Sequence, residues 1–189
     1  MHAQRDDIRH HVFDTALGPC GVAWNGRGVC AVRLPEKTAA QTEKSLLKAG
    51  SSGSGEPPPW VASLIADMQR YFGGEQVDFS AVAVDLEQFD PFRRKLYEAL
   101  RTIGFGATTT YGELARRIGA DEVEGARDVG AAMGRNPVPV VIPCHRVLAA
   151  GGKVGGFSAP GGANSKVKML ALEGIDLSPP PPAQQSLGF

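Results

Sequence analysis

The chain has 189 residues, 42% hydrophobic, 21% charged and 7% aromatic, enough for one or two compact domains with a real core and too apolar for a disordered tail. No window approaches the ~18 apolar residues of a membrane span, and Asp6-Asp7 stand where a secretory leader would be apolar, so the sequence predicts a cytoplasmic protein with no membrane partner. Net charge is zero, but residues 1–90 carry 8 basic and 12 acidic side chains and residues 91–189 carry 12 and 8, so a polyanion would dock on the second half.

Gly18 to Leu34 reads as two apolar runs around Trp24-Asn25-Gly26-Arg27, a β-hairpin with Asn-Gly in a type I′ turn. Residues 49–59, AGSSGSGEPPP, predict a flexible loop too polar to pack. Val61, Leu64, Ile65, Met68 and Phe72 then form the stripe of a helix over Trp60 to Phe72, stopped by Gly73-Gly74, and Val77 to Leu86 predicts a strand. Residues 1–88 thus read as a small sheet-and-helix lobe.

Asp90-Pro91 is an N-cap and N1 pair that opens a helix with Phe92, Leu96, Leu100 and Ile103 on one face. Thr110-Tyr111-Gly112-Glu113 is a capping box; its short helix turns Leu114 and Ile118 inward and ends at Gly119, and a second short helix follows around Gly125 to Met133. The pair reads as a helix-turn-helix whose later helix would read DNA. Gly125, Ala126, Gly130, Ala131, Ala132 and Gly134 leave that helix bare, with Arg127 protruding. Each such glycine costs up to about 1 kcal/mol, which is useful where a backbone must approach a groove of DNA or where a neighbouring helix packs closely. The fold class is therefore α/β (α+β), with a mainly helical C-terminal lobe over residues 89–175 and a Pro-rich tail over residues 176–189 expected to be disordered.

Cys20, Cys30 and Cys144 lie too far apart for a C-x-x-C pair. Cys20 and Cys30 sit in apolar runs and read as small buried hydrophobes. Cys144 differs. It follows the rigid elbow Asn136-Pro137-Val138-Pro139 and the buried run Val140-Val141-Ile142, and stands in Pro143-Cys144-His145-Arg146. A thiol at its ordinary pKa of about 8.5 is only slightly ionised at neutrality, and a neighbouring base or cation raises that fraction. His145 and Arg146 supply one of each, although His145 reaches Cys144 only if the chain turns or a water intervenes.

The order of these pieces, from Tyr111-Gly112-Glu113-Leu114-Ala115 through Ala126-Arg127, Asn136-Pro137-Val138-Pro139 and Pro143-Cys144-His145-Arg146-Val147 to Gly155-Gly156-Phe157-Ser158, resembles the O6-alkylguanine-DNA alkyltransferases. The resemblance covers residues 88–174 closely and the N-terminal lobe loosely. It implies irreversible transfer of an alkyl group from O6-alkylguanine in double-stranded DNA to Cys144 after base flipping through the minor groove, and leaves O4-alkylthymine open as a substrate. It further implies that His145 is the base acting through a water and that Glu173 orients it. Tyr111 would rotate the nucleotide and donate its hydroxyl to the base, Arg127 would fill the gap in the stack, and Ala126 and Gly130 would line the DNA face. Asn136 would tie the recognition helix to the active-site turn. Pro139, Val147, Phe157 and Ser158 would complete the substrate pocket with Tyr111, the carbonyls of Cys144 and Val147 receiving the guanine amine. No cofactor is implied, and a monomer suffices.

Three departures stand out: Phe157 where many relatives carry Tyr, Ala159-Pro160 lengthening the next loop, and Asp128 beside Arg127, where a carboxylate facing phosphate would weaken DNA binding. A zinc site would need Cys20 or Cys30 with His2, His10 or His11, a spacing that supports it poorly, so no metal is expected. Two other classes compete: a non-catalytic sensor of alkylated DNA, against which Cys144 argues, and a Cys-His thiol hydrolase, for which the helix-turn-helix is superfluous. In the tail, Gln184, Leu187 and Phe189 form Gln-x-x-Leu-x-Phe, similar to the peptides by which bacterial proteins hold the sliding clamp.

Overall fold

The computed structural model describes residues 7–121 and 124–177; His2 and the tail residues Gln184, Leu187 and Phe189 lie outside them. Strands β1 (Arg9–Thr15), β2 (Gly18–Trp24) and β3 (Val29–Arg33) form an antiparallel meander, and β4 (Gly53–Ser54) adds to β1 in parallel, giving the order β3-β2-β1-β4. Alternation along β2 sets the two faces. Cys20, Val22 and Trp24 enter the main core, whereas Ala23 packs with Leu46 of helix α1 (Ala39–Lys48). Gly21 is needed where α1 crosses, because a Cβ there would lie 2.5 Å from Leu46 Cδ1.

Three expectations are corrected in this lobe. The hairpin forms, but without a type I′ turn: neither Asn25 nor Gly26 has positive φ, and Gly28 takes it at 150°. Asn25 caps its own loop, Oδ1 accepting from the N–H of Arg27 at 2.8 Å and of Gly28 at 3.1 Å, while its amide donates to Asp85 at 2.8 Å. That distant carboxylate selects the longer loop. The strand expected over Val77 to Leu86 shrinks to one bridge, Val29 with Val84, because Asp78 accepts from the N–H and hydroxyl of Ser80 at 2.8 and 2.9 Å and turns the chain. Residues 49–59 are not an unpacked loop. Ser52 N–H donates to Ile8 at 2.8 Å, Gly55 N–H to His10 at 2.9 Å, and Ser51 is buried against His10; the edge of β1 exposes backbone groups that need partners, and this segment supplies them.

Helix α2 (Pro59–Phe72) forms as its stripe predicts, burying Val61, Leu64, Met68, Tyr71 and Phe72. Helix α3 (Pro91–Arg101) is capped by Asp90, which accepts from Arg93 N–H. Strand β5 (Thr109–Thr110) leads into α4 (Tyr111–Arg117), whose capping box has both bonds in place. Helix α5 (Glu124–Met133) packs on α4. The bare residues of α5 divide by role: a Cβ at Gly125 would sit 2.8 Å from Ala120 Cβ, so that glycine serves helix packing, whereas one at Gly130 would meet only the Tyr111 ring, at 4.0 Å. The chain then reverses through Val138–Ile142, with Val140 at φ 74°, makes a 3-10 turn at Cys144–Arg146, pairs β6 (Val147–Leu148) with β5 in parallel, and ends in α6 (Gly162–Leu172). One buried cluster includes Phe13, Val32 and Tyr71 from the first lobe with Val129, Ile142 and Cys144 from the second. Val32 N–H donates to Pro137 O across the junction at 2.8 Å.

Candidate active site

Cys144–Arg146 form a 3-10 turn, so Cys144 and His145 do not follow the extended path on which adjacent side chains point apart. His145 is fully buried and its Nε2 lies 2.7 Å from Glu173 Oε1 at the end of α6. A carboxylate can only accept, so Nε2 carries the hydrogen and Nδ1 is the basic nitrogen. Nδ1 makes no hydrogen bond among the described residues. Glu173 also accepts from Tyr71 Oη at 2.7 Å, from Arg146 Nε and Nη2 at 2.9 Å each, and from Gly106 N–H at 3.2 Å.

Burial would raise the Glu173 pKa, but the His145 and Arg146 hydrogen bonds and the Arg146 charge hold it at about 2, a carboxylate at any working pH. Burial pushes His145 below its ordinary value despite the pull of Glu173, leaving a neutral imidazole. Burial likewise raises Cys144, against a hydrogen bond from Asn136 and the charge of Lys166. At rest Cys144 is a thiol and the next residue, His145, a neutral imidazole. Arg146 does not serve the thiol as the sequence suggested; its guanidinium turns to Glu173 and to the Ile103 carbonyl, because a buried cation needs a buried anion.

Cys144 lines a cavity of about 960 Å³ together with Tyr111, Ala126, Arg127, Gly130, Phe157 and Ser158. A second cavity, about 610 Å³, shares Cys144, Phe157 and Ser158 with the first and adds Asn136 and Pro139. Asn136 donates from Nδ2 to Ile142 O at 2.8 Å and accepts from Val138 N–H at 3.0 Å, so the residues just after α5 are tied to the approach to Cys144. Val147 lines neither cavity; its side chain is buried, and its carbonyl accepts from Lys166 Nζ. The Cys144 carbonyl accepts from Val147 N–H. Arg127 and Asp128 are both exposed on α5, and no ion pair joins them. Among the described residues no three His, Cys, Asp or Glu side chains converge on a point.

Sequence reasoning missed two buried polar residues. Lys166 donates to Val147 O and, at 3.5 Å, to Gly156 O, and its Nζ stands 5.9 Å from the Tyr111 ring centroid. Burial brings its pKa down to about 8. The available signal was a lysine three and four residues ahead of Met169 and Leu170, on their apolar stripe. Tyr71 likewise sits three residues after Met68 on the stripe of α2, with its hydroxyl in the site.

Two family models match in tandem: 6-O-methylguanine DNA methyltransferase, ribonuclease-like domain, over residues 8–86, and 6-O-methylguanine DNA methyltransferase, DNA binding domain, over residues 91–175. The chain belongs to this methyltransferase family. Its relatives include the methylated-DNA–protein-cysteine methyltransferase of Mycobacterium tuberculosis, 36% identical over 88% of this chain and 92% of that protein. That of Mus musculus is 32% identical over 99% and 90%. Among solved structures, the Mycobacterium tuberculosis OGT in complex with DNA superposes with a TM-score of 0.70 at 33% identity, covering 87% of this chain and 92% of that one. Membership makes this chain a DNA-binding α/β methyltransferase that acts in DNA repair by alkyl transfer.

Proposed function

We propose that Cys144 is the alkyl acceptor and that the chain removes O6-alkyl groups from guanine in double-stranded DNA, one lesion per molecule. The observation that carries this reading is a thiol lining a cavity of about 960 Å³, next in sequence to a histidine that keeps one ring nitrogen without a partner among the described residues and is anchored through the other to Glu173. The Cys144 proton passes through a water to His145 Nδ1, Sγ attacks the alkyl carbon in line, the carbon–O6 bond breaks, and the electron pair leaves on guanine. Tyr111, whose pKa burial raises, stays protonated and supplies a proton to the departing base. The product is a thioether, which has no leaving group to restore the thiol.

Arg127, exposed on α5 at the cavity mouth, takes the place of the flipped nucleotide, and the bare stretch at Ala126 and Gly130 lets the minor-groove backbone approach. All of these groups come from one chain, so a monomer suffices. The free thiols and the DNA substrate suit the cytoplasm. The deciding experiment is mass spectrometry after incubation with an O6-methylguanine oligonucleotide. One added methyl on the Cys144 peptide is expected; an unmodified protein that still binds the oligonucleotide would instead make it a damage sensor. The tail pattern Gln184, Leu187, Phe189 supports a sliding clamp as partner, which a Pro-rich spacer would hold at a raised local concentration. Calorimetric titration of the last ten residues into purified clamp should give binding tighter than about millimolar, lost on Leu187→Ala with Phe189→Ala.

A further inference from the structure

We propose that Tyr71, carried by α2 of the N-terminal lobe, is a positioning residue for alkyl transfer, its hydroxyl fixing the Glu173 carboxylate that holds His145 in the base-competent tautomer. The proposal rests on reading His145 as the base, and its test does not require that reading to succeed.

The hydroxyl donates to Glu173 Oε1 at 2.7 Å and lies 3.3 Å from His145 Nε2. Oε1 is the oxygen that binds His145, at 2.7 Å, so tyrosine and histidine meet on one atom. Among the described residues the other donors to Glu173 are Arg146 and Gly106, both in the C-terminal half; Tyr71 alone brings the first lobe to the chemistry. Its ring is fully buried and held edge-on by Phe72, Phe79 and Phe105 at centroid distances of 5.2, 5.7 and 6.3 Å. These edge-to-face contacts, from both lobes, aim the hydroxyl without help from its own hydrogen bond. Burial and the adjacent carboxylate push the phenol above its ordinary pKa, so the hydroxyl is always a donor.

The charged and titratable groups around His145 are Glu173 and Lys166 from α6, Arg146 and Cys144 from its own turn, and Tyr71 from α2. A neutral donor on Oε1 spreads the carboxylate charge and limits how strongly it can stabilise an imidazolium. Removing the donor concentrates that charge, so His145 should titrate higher.

The test is Tyr71→Phe in the full chain, which keeps the ring and its cage. The ring resonances of His145, distinguished from those of the other three histidines by comparison with His145→Gln, are followed against pH. We expect His145 to titrate about half a unit to one unit higher in the variant. In single-turnover assays with a methylated oligonucleotide, the acid limb of the pH–rate profile should move to higher pH by the same half to one unit, so that transfer slows by up to about three- to tenfold on that limb and approaches the wild-type rate at pH 8.5. Coincident titrations with an unmoved acid limb would overturn the proposal, as would a rate loss uniform across pH with His145 unmoved, which would mark Tyr71 as packing alone. If melting shows the phenylalanine variant unfolded, 3-fluorotyrosine incorporation replaces it; the stronger donor should move His145 downward, and no movement again overturns the proposal. A wild-type protein that transfers no methyl would remove the function proposed above, yet the His145 titration would still decide the role of Tyr71.

Discussion

His10 in the first lobe and His145 in the second are both buried, and each meets one hydroxyl and one carboxylate. His10 has Ser51 Oγ at 2.7 Å on Nδ1 and Glu43 Oε1 at 3.4 Å on Nε2; His145 has Glu173 at 2.7 Å and Tyr71 at 3.3 Å, both on Nε2. The first arrangement uses both ring nitrogens and ties β1 to the segment after α1. The second crowds its partners onto one nitrogen and leaves the other without a partner among the described residues. The cysteines differ as well: burial pushes the Cys20 thiol up to about 12 with only the Thr15 hydroxyl against it, whereas burial of Cys144 is opposed by the Asn136 hydrogen bond and the Lys166 charge. Burial and polar partners alone therefore do not make a histidine catalytic. What separates His145 from His10 is a ring nitrogen without a partner among the described residues, in the residue next to Cys144.

Several substitutions would break or sharpen this contrast. The largest effect is expected from Cys144→Ala, which should abolish alkyl transfer while DNA affinity, read by fluorescence anisotropy, stays within a few-fold; joint loss would make Cys144 a structural residue. Exchanging the histidines separately comes next. His145→Gln should slow single-turnover transfer by about 10²–10⁴-fold, and His10→Gln should leave that rate within about twofold and lower stability in urea melts by about 1–3 kcal/mol through the stranded partners. A slow His10 variant would erase the distinction. A smaller effect separates two neighbours on α5. Arg127→Ala should reduce transfer from duplex DNA about tenfold with little change on free alkylguanine, since only a duplex has a gap to fill; equal losses would remove it from base flipping. Asp128→Ala should tighten DNA binding about twofold at moderate salt, and unchanged affinity would mean that its carboxylate faces away from phosphate.

Regular patterns made much of this legible in the sequence. The stripe of α2, the Asp90 cap and the Thr110–Glu113 capping box are local rules, and each element stands where its rule puts it. The residues brought to the cavity, Cys144, Tyr111, Arg127, Phe157 and Ser158, lay in motifs whose order pointed to them. What stayed hidden depends on partners far along the chain. Asn25 takes a longer turn because Asp85 holds it, and residues 49–59 order because β1 has an edge to pair. β1 carries two histidines rather than a clean apolar alternation, and α1 buries only Thr42 and Leu46, so neither announces itself by period. Tyr71 and Lys166 read as members of apolar stripes, and only the folded chain shows their polar ends in the site.

The buried Lys166 has a consequence for how activity and stability part with pH. Its folded pKa of about 8 lies below its ordinary value of 10.5, so between those limits the unfolded chain binds a proton that the folded chain does not, and this residue's contribution to stability rises with pH. Through the same interval the ammonium that donates to the Val147 and Gly156 carbonyls disappears. An ammonium has three donor hydrogens and the neutral amine two, with a lone pair that repels a carbonyl. In mild alkali Lys166 by itself thus adds to stability while its hold on the segment leading to Phe157 and Ser158 loosens, and the raised thiols of Cys20 and Cys144 act on stability in the opposite sense.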